Sequence, residues 1–215
     1  MGRPVRVKIC GITSWQDADD AVAAGADAIG LNFYPASPRY VSVEDASQIV
    51  RRLPPFIDAV AVLVRLSVEQ ALASIAALQM RCFQIHGSDP EVLDVFPCRY
   101  IPTFQVRGQS DLSAIDRYLE ACRQTGCLPA AVLVDGHAPG LVGGTGQRAP
   151  WDLLAGWRPA VPLILAGGLT PENVAEAVRR VRPWAVDVAS GVERAPGIKD
   201  ADKVRRFVEE ARSAG

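Results

Sequence analysis

Eight short apolar runs of strand length recur along the chain at intervals of about 25 residues, with amphipathic stretches between most of them, and this recurrence restricts the possible folds sharply. The runs are Val5 to Ile9, Ala28 to Phe33, Ala59 to Val64, Cys82 to Ile85, Arg99 to Phe104, Ala131 to Val134, Leu163 to Ala166 and Ala185 to Val188. Strands separated by helices are joined by crossovers and therefore lie parallel. Eight βα units match a (β/α)8 TIM barrel, and 215 residues is near the small end of that fold's range. An open doubly wound sheet is the alternative. Strands 1 and 8 favour closure: with Val5, Val7 and Ile9 facing the helices, Arg6, Lys8 and Cys10 point inward, and Val186 and Val188 leave Asp187 inward in the same way. The two strands are neighbours only in a closed sheet, where a buried lysine would have a buried aspartate as its partner. Residues 1–215 are accordingly expected to form a single barrel domain with a phosphate site at its C-terminal face.

The helix starts carry their own signals. Ser14 with Asp17, Ser42 with Asp45, and Ser67 with Gln70 have capping-box spacing, and Gly25 is a good residue to end the first helix. Asp111 to Gln124 and Asp202 to Ala211 carry apolar residues at helical spacing. In L-I-L-A-G-G-L-T-P-E-N-V, from Leu163 to Val174, a strand runs into two glycines, with Thr170 placed as N-cap and Pro171 as first helical residue. A ligand phosphate can approach the backbone closely at such a turn.

With 22% charged residues and a net charge of −1, the chain has no basic field for nucleic acid or anionic lipid, though a small anionic ligand remains compatible. The N-terminus goes directly into a strand-like pattern, without a signal-peptide core or an apolar run of membrane-spanning length, so a cytoplasmic protein is expected. Five irregularly spaced cysteines and two histidines indicate neither a disulfide framework nor a zinc site. Cys82, Cys98, Cys122 and Cys127 read as small buried or half-buried hydrophobes.

Reactive groups of barrel enzymes lie at the C-terminal ends of strands and in the loops after them. Cys10 ends strand 1, on the same face as Lys8, whose charge favours a thiolate, and Gly11 lets the chain bend away from the sulfur. Asp135 ends strand 6, where a carboxylate at an apolar lip can have a raised pKa and deliver a proton. Arg39, between prolines in P-A-S-P-R-Y-V, has a planar carboxylate as its natural bidentate partner. His86 in Q-I-H-G is either a base or a structural hydrogen-bonding residue. Glycine turns follow strand 6 (Gly143, Gly144, Thr145, Gly146), strand 7 (Gly167, Gly168) and strand 8 (Ser190, Gly191), and the last two occupy the usual phosphate position of the fold. The stretch from Gly144 to Ala149 also fits a loose dinucleotide pattern, but it runs into Pro150 where that pattern requires a helix.

Taken together, V-K-I-C-G-I-T, G-L-N-F-Y-P-A-S-P-R-Y-V, F-Q-I-H-G, V-D-G, G-G-T-G, L-A-G-G-L-T-P-E-N-V and V-D-V-A-S-G-V-E resemble phosphoribosylanthranilate isomerase over essentially the full length, with K-I-C-G and S-P-R the most specific. The resemblance implies an Amadori rearrangement in tryptophan biosynthesis. N-(5′-phosphoribosyl)anthranilate would become 1-(2-carboxyphenylamino)-1-deoxyribulose 5-phosphate. It implies Asp135 as the general acid that opens the furanose ring, Cys10 as the general base at C2′, Arg39 as the holder of the anthranilate carboxylate, and the three glycine turns, with Asp187 beside the last, as the phosphate side of the substrate site. No metal or organic cofactor is implied. The expected partner is a small phosphorylated substrate, with no nucleic acid or membrane, for a monomer or homodimer.

The chain departs from the family at Gln147-Arg148-Ala149-Pro150-Trp151, which puts the start of the sixth helix in doubt, and at the insert from His137 to Val142. Three other assignments compete. Indole-glycerol-phosphate synthase would use lysines near the mouth where strand 3 here ends in Arg65. The histidine-pathway isomerase would have an aspartate in place of Cys10. A pyridoxal-phosphate carrier would need Lys8 at the mouth, one inward position higher than it lies.

Overall fold

Eight parallel strands pair in chain order and close on themselves, β1 with β8. The computed structural model describes residues 4–64, 73, 80–87, 99–136 and 150–215. The strands are β1 (Arg6–Cys10), β2 (Ala28–Asn32), β3 (Asp58–Val64), β4 (Cys82–His86), β5 (Arg99–Val106), β6 (Val132–Gly136), β7 (Leu163–Leu165) and β8 (Ala185–Val188). All eight fall on the expected runs, and the open-sheet alternative is excluded. The expected closure is seen directly in the register: Lys8 lies opposite Asp187, and Val7 opposite Val186.

The helices form where local signals and an apolar face coincide. Ser14 caps α1 (Trp15–Ala23) by accepting from the Asp17 N–H, and Ser42 caps α2 (Val43–Arg52) by accepting from that of Asp45. Gly25 follows α1 with φ +90°, a conformation that costs other residues a steric penalty. The third expected capping box, Ser67 with Gln70, lies outside the described residues. α3 (Gln109–Thr125) ends at Gly126 in the left-handed region, and α6 (Ala201–Ser213) starts at Asp200, whose carboxylate accepts from the Lys203 N–H.

One helix start differs from expectation, and another that the sequence left open is placed. α5 begins at Val174 (Val174–Val181) rather than at Pro171, because the Asn173 side chain accepts from the Thr170 N–H and holds Thr170–Asn173 as a separate turn. α4 has only four residues (Trp151–Leu154) and begins directly after Pro150, where the departure from the family pattern put the boundary in doubt. A short hairpin, β9 (Glu193–Ala195) with β10 (Ile198–Lys199), follows β8.

Alternation along the strands divides the buried residues into two layers. Outward side chains such as Ile9, Leu31, Leu63, Phe83 and Val186 pack against the helices in one large core. Inside the barrel, Ile101, Ala131, Leu133, Ile164, Ala166 and Ala185 make a small apolar plug. The buried polar residues Lys8, Gln84, Asp135 and Asp187 project from the same inner faces. Among the described residues no helix is long and apolar enough to cross a membrane.

Candidate active site

Cys10 is the last residue of β1 and only 8% exposed. One inward step below it, Lys8 Nζ donates to Asp187 Oδ1 and to Gln84 Oε1, each at 2.8 Å. Gly30 on the neighbouring strand makes this arrangement possible: a Cβ there would lie 2.7 Å from Cys10 Sγ and 3.1 Å from Lys8 Nζ. Burial opposes the Lys8 charge, but the Asp187 carboxylate offsets it, and the ammonium is held above its ordinary range.

The same setting does not produce the ready thiolate expected from the sequence. Burial pushes the Cys10 thiol up and outweighs the opposing pull of Lys8, while Asp187 pushes it further in the same direction. In the free protein the sulfur therefore keeps its proton at neutral pH. The lysine is needed by Asp187 as much as by Cys10. Lys8→Met should cost about 3–5 kcal/mol of stability, because a carboxylate remains buried without its partner. Urea denaturation reads the loss, and an unchanged midpoint would mean that Asp187 finds another donor.

Asp135 is buried near the end of β6, on the inner face, with β7 and β8 between it and Cys10. It shares a small cavity with Gly167, Gly168, Asp187, Ser190 and Gly191. The turns after β7 and β8 are built to touch. A Cβ on Gly191 would lie 1.9 Å from the Leu169 carbonyl oxygen, so only glycine fits. Gly167 and Gly168 have φ +87° and +65°, and the Asn173 amide donates to the Gly168 carbonyl, fixing their turn. The structure thus brings Asp135, Asp187 and the glycine turns after β7 and β8 to one place. The glycine turn after β6, Gly143 to Gly146, lies outside the described residues.

Arg39 sits beyond β2. Its stem lies across Gly11, whose φ of +75° belongs to glycine and where a Cβ would come 2.5 Å from Arg39 Cδ. The carboxylate expected opposite this guanidinium is supplied by the protein itself: Nε and Nη2 donate to Glu193 Oε1 and Oε2 at 2.7 and 2.8 Å. Sequence reading missed Glu193, which is 154 residues away in the chain. Its clue was only that a positioned arginine beside a buried strand end needs an anion. Lys199 Nζ also donates to Glu193 Oε1, at 3.0 Å. Burial disfavours the Glu193 charge, but Arg39 and Lys199 outweigh it and hold the carboxyl below its usual range. Glu193 takes one edge of the guanidinium, the Nε–Nη2 edge. The Nη1–Nη2 edge is the one a ligand carboxylate would use.

His86 ends β4 on the inner face, and its Nε2 is 2.8 Å from Gln84 Nε2. A larger cavity, about 200 Å³, lies among Arg6, Phe56, Cys82 and Trp184. It opens at the N-terminal ends of the strands, the face that carries stability rather than chemistry in this fold. Among the described residues no cluster of His, Cys, Asp and Glu could hold a metal ion.

A closed (β/α)8 barrel whose polar groups gather at the C-terminal mouth, over glycine turns after β7 and β8, has the architecture of a barrel enzyme. The comparisons identify which one. Residues 7–210 match the family model described as N-(5′-phosphoribosyl)anthranilate (PRA) isomerase. An N-(5′-phosphoribosyl)anthranilate isomerase from Trichlorobacter lovleyi is 44% identical over 98% of this chain and 99% of its own length. The crystal structure of the isomerase from Thermotoga maritima superposes with a TM-score of 0.87 at 39% identity, covering 97% of this chain and 99% of that one. A further isomerase structure, in complex with reduced 1-(o-carboxyphenylamino)-1-deoxyribulose 5-phosphate, gives 0.82 at 36% identity, covering 97% and 99%. The chain belongs to the phosphoribosylanthranilate isomerase family, isomerases of tryptophan biosynthesis.

Proposed function

We propose that the chain, as one catalytic domain over residues 1–215 acting in the cytoplasm, converts N-(5′-phosphoribosyl)anthranilate to 1-(2-carboxyphenylamino)-1-deoxyribulose 5-phosphate with Asp135 as general acid and Cys10 as general base. The observation that carries these roles is the continuity of the site. Asp135 opens on the glycine-lined cavity, Asp187 forms part of its wall, and Asp187 is bonded to Lys8 directly beneath Cys10. A carboxyl and a thiol are thus held on opposite sides of the place where a sugar phosphate would lie.

Asp135 gives its proton to the furanose ring oxygen as the anthranilate nitrogen pushes its lone pair toward C1′. The C1′–O bond breaks and an iminium forms. Cys10 removes the proton from C2′, and the C2′–H electrons flow toward the iminium to give an enolamine. Tautomerisation then places a proton on C1′ and leaves a ketone at C2′. The substrate is its own electron sink. The buried thiol, which Lys8 and the more distant Lys199 do not ionise, gains a further neighbouring cation when the iminium forms one bond from the carbon it deprotonates. Cys10 is thereby activated by the reaction's first step, and the free enzyme does not maintain an exposed thiolate.

Loss of anthranilate fluorescence while phosphoribosylanthranilate is generated in situ tests the activity; no loss above the uncatalysed rate would overturn it. Binding separates the two ends of the substrate. Arg39→Ala should weaken the reduced product analogue by about 1.5–3 kcal/mol, as for a hydrogen bond to a charged group, and leave inorganic phosphate unaffected. Gly168→Val should weaken both, since it blocks backbone approach to the phosphate. Calorimetry decides, and analogue affinity unchanged in Arg39→Ala would remove the carboxylate from Arg39.

A further inference from the structure

One polar ring at the mouth has no part in the proton transfers. His86 is half-buried, one inward position above Gln84 on β4. The bond joining the two Nε2 atoms has a direction fixed from below. Lys8 has only protons to give, so its 2.8 Å contact is with the Gln84 carbonyl oxygen, and the amide NH2 is the end that faces His86. His86 Nε2 must then accept. An imidazole with an acceptor at Nε2 carries its one proton on Nδ1.

Protonating Nε2 would set two donors against each other and add a cation near Lys8. Burial, with Lys8 adding, accordingly pushes the ring down to about 4. Lys8, itself paired with Asp187, is the charged group that acts on His86 among the described residues. Nothing among them accepts from Nδ1. Beside His86 in the β4–β5 register is Thr103, whose buried hydroxyl has no hydrogen-bond partner among the described residues. A buried polar atom left without a partner is costly unless a ligand supplies one. Two such groups side by side suit neighbouring hydroxyls of a sugar.

We propose that the Lys8–Gln84–His86 chain locks His86 as the neutral Nδ1–H tautomer, which donates to the C2′ oxygen of the sugar and so turns the C2′–H bond toward Cys10 without moving a proton itself. This rests on the isomerase reading for its substrate. Lys8 is the common element: it lies against Cys10 on one side and, through Gln84, orders His86 on the other. The base and the group that presents its proton are set by one ammonium.

The tautomer is read on the free protein by long-range 15N–1H correlation spectra of histidine-labelled enzyme, with His137→Asn to assign the only other histidine. The expected result is a protonated Nδ1 and an unprotonated Nε2 from pH 8 down to about 5, and transfer of the proton to Nε2 in Gln84→Glu, where a carboxylate replaces the donor. A proton on Nε2 in the wild type, or titration near the ordinary histidine range, would overturn the lock. His86→Ala should lower kcat about 10²-fold, the scale of a misplaced reacting atom, with little change in KM. His86→Asn, which restores a neutral N–H, should recover most of it with the wild-type pH profile. An unchanged kcat in His86→Ala, or a limb of the profile lost in His86→Asn, would overturn the positioning role. Absence of turnover in the wild type overturns the isomerase reading and the donation to C2′ with it, while the tautomer is decided independently.

Discussion

Cys10→Ala is expected to lower kcat by about 10²–10⁴-fold, the usual contribution of a general base, while the reduced product analogue still binds. A base acts on the barrier and adds little to ground-state affinity, so a loss shared equally between kcat and binding would point to collapse of the pocket instead. The direction of the thiol's shift adds a second readout. Burial raises the Cys10 pKa, and turnover needs the thiol deprotonated while Asp135 still holds its proton, so kcat/KM should rise with pH only as long as the acid form persists and then level, the gain in thiolate offsetting the loss of the acid. That limb should be absent from whatever activity Cys10→Ala retains. Because acid and base titrate within one connected site, the limb belongs to the pair until the variant assigns it. Near-normal turnover in a folded Cys10→Ala protein would remove the base from β1.

Much of this site could be read before any coordinates, for a physical reason. The period-2 alternation of R-V-K-I-C and A-V-D-V assigns each side chain to a face, and closure of the barrel then makes Lys8 and Asp187 neighbours at 2.8 Å. Helix caps were equally local, since Ser14 and Ser42 bond within three residues. What escaped was whatever depends on the balance of opposing terms or on distant partners. Lys8 does favour a thiolate, but the cost of burying that thiolate is larger, and residue types alone do not give the magnitudes. Arg39 was legible as a positioned cation, but its clamp comes from Glu193 across the mouth, in a turn whose hairpin gave no strand-like pattern. The start of α5 moved to Val174, with Thr170–Asn173 closed as a turn of its own by the Asn173 side chain on the Thr170 N–H, a side-chain contact that residue spacing alone does not give.

Asp135→Asn should be as damaging as Cys10→Ala, with a loss of about 10²–10⁴-fold, because the amide keeps the shape of the carboxyl but has no proton to give to the ring oxygen. The two losses should also combine in an informative way. If ring opening creates the iminium that ionises Cys10, each step depends on the one before it. Removing the acid then also removes what activates the base, and the double variant should be little worse than either single one. Additive losses would mean that Cys10 is ionised independently of ring opening. Retention of full forward activity in Asp135→Asn would send the search for the acid elsewhere. His86 would be a poor candidate, since its Nε2 accepts from Gln84 and its ring stays neutral down to about pH 4. Asp187 is bound to Lys8, so its loss would dismantle the base's surroundings as well. The assignment of the acid to Asp135 therefore stands or falls on that one substitution.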